Sequence, residues 1–450
     1  MATDMTKGST ARHIIAFTLP LLVGNIFQQM YNMVDTFVVG RYIGKDALAA
    51  VGTSFTVTLL INTLIMGLCA GMSILVSQSF GAKEYQKLKR AVSTAIIVTA
   101  AGSALFTAAG LMLAKPLLSL LGTPAELFQS ASAYLSILFW GTLFVFSYNA
   151  FAAMLRSIGD SKTPLYFLII SSVINIVLDL FFVLKLNMGV AGVAYATVIS
   201  QAVSSISCAA YTFKKVPMFR IKLSEMVFDR RVFSTMFKFG SASMIQNSAF
   251  SLGMMLIQGL VNSYGANVMA AYATAAKIES FVQMPLQNIG MAVSTYTAQN
   301  TGAGNLERVK KGIVSAIKIV AVFTLAMTAL MLTFSKYLIL IFIDKAETEV
   351  VSIGVEYLNL VAVFYIFLGF IHIFVNFLRG TGYVLFPMIN TISELSFRVI
   401  IAYSFAFFMG YHGIFWGRPL SFMLSAGCLI YAYRKGGWQQ KVLANRKFEE

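Results

Sequence analysis

Charge is what this chain has least of. Asp, Glu, Lys and Arg make up 12% of its 450 residues, about half the share of a soluble domain. So little charge cannot cover a water-exposed surface of this size, which excludes a soluble globular domain. Cysteine is nearly absent too. Cys69, Cys208 and Cys428 all lie in apolar stretches, with no CxxC spacing, which argues against a disulfide framework or a zinc site. There is no HExxH, no GxSxG and no Walker lysine motif, so neither an intramembrane enzyme nor a nucleotide-driven pump is expected.

Long apolar runs are what the chain has instead, with 58% hydrophobic residues. A crossing needs about 20 apolar residues, and the pattern predicts twelve transmembrane helices. They are placed at 13–40, 47–80, 91–114, 126–155, 163–184, 189–213, 233–262, 267–299, 311–334, 348–378, 385–409 and 413–433. The first run is long, carries Pro20 and has no small-residue cleavage site after it, so it reads as a retained helix. The net charge of +16 does not signal nucleic acid, because the basic residues sit in short loops. Those around Lys87, Lys215, Arg230 and Lys310, and in the tail with Lys441, Arg446 and Lys447, fall on one side. The other side has only Arg41, Lys45, Lys115, Lys185, Lys336 and Lys345. The positive-inside rule then puts both termini in the cytoplasm.

The chain repeats itself. Gln78-Ser-Phe-Gly-Ala-Lys aligns with Gln299-Asn-Thr-Gly-Ala-Gly, and Lys87, Lys89 and Arg90 align with Arg308, Lys310 and Lys311, all 221 residues on. Leu155-Arg156, Gly159 and Pro164 align with Leu378-Arg379, Gly382 and Pro387 at an offset of 223, and Gly192 with Gly413 at 221. The expected organisation is an N-lobe over 1–213, a cytoplasmic linker over 214–232, a C-lobe over 233–437 and a cytoplasmic tail over 438–450. Both six-helix halves start on the same side, so the repeat is parallel, with its axis along the membrane normal.

Two carboxylates, Asp35 and Asp179, lie inside spans. Each costs about 2.5–3.5 kcal/mol at bilayer depth on insertion scales. On the first helix Asn25, Gln28, Asn32 and Asp35 share a face; on the fifth, Ser172, Asn175 and Asp179 do; on the sixth, Thr197 and Gln201 are four apart. Such stripes must face protein or water. The loop positions put Asp35, Asp179 and Thr197 roughly 8–12 Å below the outer surface, at one level of the N-lobe. Two carboxylates with amide and hydroxyl oxygens suit a proton or Na⁺, with Asp35, Asn175, Asp179 and Thr197 as its ligands. The plainer reading is that these groups only join helices.

The run Pro20-Leu-Leu-Val-Gly-Asn-Ile-Phe-Gln-Gln-Met-Tyr-Asn-Met-Val-Asp35, with Gly71-Met-Ser, Asn175-Ile-Val-Leu-Asp179 and Gly189-Val-Ala-Gly-Val-Ala-Tyr-Ala-Thr197, resembles the multidrug and toxic compound extrusion (MATE) family. The likeness is to its bacterial DinF-like branch, within a wider flippase superfamily, and covers nearly the whole chain. It implies an all-α polytopic membrane protein, twelve helices in two pseudo-symmetric six-helix lobes, V-shaped around a central cleft. It also implies that Asp35, Asn175, Asp179 and Thr197 form an N-lobe cation site, with Gln28, Tyr134 and Asn149 as further polar residues of that cavity.

The second half does not copy the acids. Asp35 falls on Leu256, Asp179 on Ala402, Asn175 on Arg398 and Thr197 on Arg418. Glu394 and Arg398 are four apart, so an ion pair within one helix is expected; the remaining positive charge reads as a contact for substrate. Glu279 is the nearest acid for a second coupling site. Pro20 lies below the first stripe and allows a bend that answers to the acids, or a static kink.

The function these residues imply is secondary antiport. Drug-like, mostly cationic amphipathic compounds would leave across the bacterial inner membrane in exchange for H⁺ or Na⁺, by alternating access. No cofactor is expected beyond the coupling ion, and the partners are a small-molecule substrate and the lipid bilayer, with the chain acting as a monomer. The alternative is a flippase moving a lipid-linked or anionic cargo on Arg398 and Arg418. One acid site in duplicated lobes favours coupled transport over a passive channel.

Overall fold

The computed structural model describes residues 2–120 and 122–446. The first half holds α1 (Thr10–Val38), α2 (Lys45–Gly81), α3 (Tyr85–Leu120), α4 (Ala125–Trp140), α5 (Thr142–Ser157), α6 (Lys162–Leu180) and α7 (Gly189–Lys215). The second holds α8 (Arg230–Asn262), α9 (Ala266–Gly302), α10 (Leu306–Leu340), α11 (Thr348–Ala362), α12 (Tyr365–Gly380), α13 (Leu385–Met409) and α14 (Tyr411–Lys435). A short α15 (Gly437–Arg446) follows. No strand occurs among the described residues.

Nine of these helices are long and apolar enough to cross a membrane, and the bent pairs α4–α5 and α11–α12 raise the number among the described residues to eleven. The twelfth expected span, α9, runs for 37 residues, about 55 Å at 1.5 Å per residue, but is too polar to be counted with them. It carries Lys277 and Glu279.

Two expected single helices, 126–155 and 348–378, are broken. The first bends by 45° at Gly141 and the second by 53° at Val363 and Phe364. A Cβ at Gly141 would overlap the Val198 side chain of α7, so α7 packs into that bend. Phe364 meets Trp416 of α14 edge-on, with ring centroids 6.4 Å apart. Gly141 and Phe364 are themselves 223 residues apart.

The repeat is thus written into the backbone. Left-handed residues recur at the same offsets: Gly44 and Gly265 (φ 118° and 89°), Lys83 and Gly304 (59° and 61°), Gly159 and Gly382 (82° and 81°), Gly189 and Gly410 (57° and 63°). Helix packing recurs as well. α7 packs on α4, α5 and α6 in the first half, and α14 packs on α11, α12 and α13 in the second. Gly192 and Gly413 match for a packing reason. A Cβ at Gly192 would press on Phe182 and one at Gly413 would overlap the backbone of Phe405, so each glycine lets a helix start close beside the end of its predecessor.

The chain divides into two compact units, one of residues 1–4 and 19–244, the other of 5–18 and 245–450. These bounds differ from the expected lobes at four places, one of them residues 233–244, expected in the C-lobe but part of the first unit. Residues 5–18 belong to the second unit, where Arg308 donates to the carbonyls of Met5 (2.9 Å) and Gly8 (3.1 Å). The expected linker is part of the first unit. Phe219 is buried, and Val227 exchanges hydrogen bonds with Ser93 of α3 (2.8 and 2.9 Å). The expected tail begins as helix α15, anchored by the buried Trp438, whose indole donates to Tyr433 O (3.0 Å). Lys447 and the rest of the tail lie outside the described residues.

Candidate functional site

Asp179 sits near the end of α6 and is 0% exposed; Asn175, one turn earlier, is 1% exposed. With its amide turned to donate, the Asn175 nitrogen lies 3.3 Å from Asp35 Oδ1 and 3.0 Å from Asp179 Oδ2. One side chain on α6 thus bridges acids on two helices. The two carboxylates are also within hydrogen-bonding reach of each other. Asp179 Oδ1 is buried and has no hydrogen-bond donor, and no Lys or Arg pairs with either acid among the described residues. A pair of carboxylates this close, with an unfilled acceptor, calls for a proton or a small cation between them.

The helix ends explain why the acids meet. After α1 and after α6 the coil widens into π-helical turns, Val39–Ile43 and Phe181–Lys185. Such turns are rare and gather at functional sites. The two pack on each other, and α7 packs on both. Val38, Val39, Val183, Val193 and Tyr134 form one apolar cluster there. Tyr134 is buried in that cluster and interacts electrostatically with both Asp35 and Asp179. Thr197 presents a buried hydroxyl from α7. It faces Tyr31, a residue the sequence reading did not single out. Tyr31 stands one turn before Asp35 on the same face; that spacing was the available signal, hidden because a tyrosine in a span usually marks an interface.

The rest of the stripes behave differently. Gln28 and Asn32 are exposed, and Asn32 reaches only Gln29, at 3.4 Å. Ser172 donates back to Leu168 O (2.9 Å), and Asn149 donates back to Val145 O (2.8 Å). Gln201 is half-buried a turn beyond Thr197, and Pro20 is buried inside α1. Between Gly24 and Val38 no residue of α1 is buried, so the segment carrying Asp35 is lightly packed.

The second unit holds another polar cluster, and here one expectation is corrected. Arg418 is not an unmatched charge. Its Nη1 pairs with Glu279 Oε2 on α9 and donates to the Tyr357 hydroxyl (2.7 Å), which itself donates to Glu279 Oε2 (3.2 Å). Gln283 Nε2 approaches the other Glu279 oxygen at 3.4 Å. Arg398 pairs with Glu394 as the spacing predicts, through Nε (3.1 Å) and Nη2 (2.5 Å), and Ser421 of α14 donates to the same Glu394 oxygen (2.8 Å). The sequence could not reveal the first pair, because Glu279 and Arg418 are 139 residues apart.

The comparisons agree with this architecture. The MatE family profile matches residues 20–181 and 242–404, one match in each half. The chain is 32% identical over 448 residues to "Probable multidrug resistance protein YpnP" of Bacillus subtilis, covering 99% of this chain and all of that one. It is also 32% identical over 446 residues to "Probable multidrug resistance protein YoeA" of the same organism, covering 97% and 96%. The solved structure "Crystal structure of MATE in the bent conformation" superposes with a TM-score of 0.91 at 24% identity, covering 100% of this chain and 99% of that one. With the profile spanning both halves and the relatives aligned end to end, this chain belongs to the MatE family of multi-pass membrane transporters.

Proposed function

We propose that the protein is a secondary antiporter that exports drug-like, mostly cationic amphipathic compounds across the bacterial inner membrane in exchange for H⁺ or Na⁺. The observation that carries this reading is the cluster of Asp35, Asn175 and Asp179, with a buried Asp179 oxygen that no donor reaches. Such a site is at ease only when a cation neutralises it, so its occupancy answers to the ion gradient. The relatives' printed names support drug export as the cargo side of the exchange.

Chemically, an entering cation draws Asp35 and Asp179 together and thereby holds α1 against α6. Loss of the cation sets the carboxylates in mutual repulsion, and the lightly packed stretch of α1 above Pro20 is the element free to yield. Alternating access couples that movement to cargo, with both termini on the cytoplasmic side and the chain working as a monomer. The flippase reading, with an anionic headgroup on Arg398 and Arg418, is disfavoured because Glu394 and Glu279 already hold those guanidiniums.

Asp35→Asn and Asp179→Asn are each expected to leave the folded protein intact and to lower ethidium or norfloxacin efflux from an efflux-deficient strain at least tenfold, about 1.4 kcal/mol of lost coupling. Transport into vesicles with the H⁺ or the Na⁺ gradient imposed alone identifies the ion. Normal resistance and normal ion dependence in both variants would sink the assignment.

A further inference from the structure

The two units use the same positions for opposite charge. Tyr134 corresponds to Tyr357 and Asn175 to Arg398 at an offset of 223; Thr197 corresponds to Arg418 and Ser200 to Ser421 at 221. In the first unit one of these positions, Asn175, bridges two carboxylates that no basic side chain neutralises among the described residues. In the second they carry two guanidiniums, each paired with a buried acid. Each cluster has two acids, but only the second brings its own cations.

The coordination of Arg418 is that of an ion in a site. Glu279 is 0% exposed. Its Oε2 and the Tyr357 hydroxyl converge on Nη1 of Arg418, and Gln283 answers the second carboxylate oxygen. The other titratable groups beside this pair are the phenols of Tyr272, whose ring meets that of Tyr357 at 5.3 Å, and Tyr365. Lys277, two residues away on α9, is exposed. A carboxylate buried so deeply must have a partner. A guanidinium stays protonated at any physiological pH, and its stem fixes it to α14, so it satisfies Glu279 without ever exchanging.

We propose that Arg418 is a tethered cation filling a cation site built from Glu279 and Tyr357, so that the second unit binds no exchangeable ion while Arg418 is present. Removing the guanidinium uncovers Glu279 as a new site for Na⁺ or H⁺. The inference rests on the reading of Asp35 and Asp179 as the exchangeable site.

The test uses purified full-length protein in detergent, with Asp35→Asn and Asp179→Asn combined to silence the first unit. Thermal unfolding is followed against Na⁺, with choline replacing it at constant ionic strength, and against pH. In this background the Tm is expected to ignore Na⁺ and to follow pH only through the remaining titratable groups, which sets the baseline for the variants. Adding Arg418→Gln, which keeps a hydrogen-bond donor but no charge, is expected to create a saturable upward shift of several degrees with Na⁺ or with acid. Arg418→Ala should do the same and respond to methylguanidinium as well. Adding Glu279→Gln should return the Tm to that baseline, and Arg418→Lys, still a tethered cation, should not depart from it. A Tm that stays on the baseline in both neutral variants overturns the proposal, as does a departure from it that survives Glu279→Gln. Failure of both variants to fold under every cation and pH also counts against it, since a true site would be satisfied by its ion. A wild-type Tm that ignores Na⁺ and pH instead refutes the Asp35 and Asp179 reading, and the Glu279 arm is scored separately.

Discussion

At the scale of the residue, Asn175 is the small group on which the acid pair turns. Its amide donates to a carboxylate on each of two helices, at 3.3 and 3.0 Å, and hydrogen bonds to charged groups contribute about 1.5–3 kcal/mol each. These donors stabilise the cation-free, doubly charged state. Asn175→Ala is therefore expected to make that state costlier, so the driving ion binds more tightly and leaves more slowly. The half-saturating ion concentration for transport in vesicles should fall at least tenfold, with a lower maximal rate. An unchanged ion dependence would remove Asn175 from the site. The two acids were legible in the sequence because charge in a span is expensive. Tyr31 and the Glu279–Arg418 pair were not, since a phenol in a span raises no alarm and a pair 139 residues apart has no periodicity to betray it.

At the scale of the element, glycine placement decides how closely helices approach. A Cβ at Gly413 would overlap the Phe405 carbonyl and the Ala406 nitrogen, which are backbone and cannot rotate away. Gly413→Ala should separate α13 from α14 and disturb the Glu394–Arg398–Ser421 contacts they share. The expected loss is about 1–3 kcal/mol or more. Gly259 of α8 has nothing within 4 Å of its built Cβ, so Gly259→Ala should gain about 0.5–1 kcal/mol from helix propensity. Thermal unfolding of the two variants side by side checks both signs. The spans themselves were readable from apolar runs, but the breaks at Gly141 and Phe364 were not. A bend imposed by α7 or α14 packing into it leaves no proline in the bent helix to announce it.

At the scale of the whole molecule, duplication and topology are the testable properties. The proposed orientation puts both termini in the cytoplasm, and on it a cysteine introduced at Lys7 or Lys435 should react with an impermeant maleimide only after cells are permeabilised. One at Lys345 should react in intact cells. The background is Cys428→Ser, because Cys428 is the exposed native thiol while Cys69 and Cys208 are buried. Labelling of Lys7→Cys in intact cells would reverse the orientation.

The sequence by itself determined the class, the spans, the duplication and the two acids. Each of these is a local property: hydropathy over about 20 residues, a fixed offset, or a charge where lipid should be. Only the tertiary structure decided which polar groups meet. It brought Asp35 to Asp179 through paired π-helical turns, left Gln28 and Asn32 of the same stripe outside the cluster, and gave Arg418 its partner on α9. Helical periodicity fixes the direction in which a side chain points. Which side chain of a distant helix stands there is fixed by packing alone.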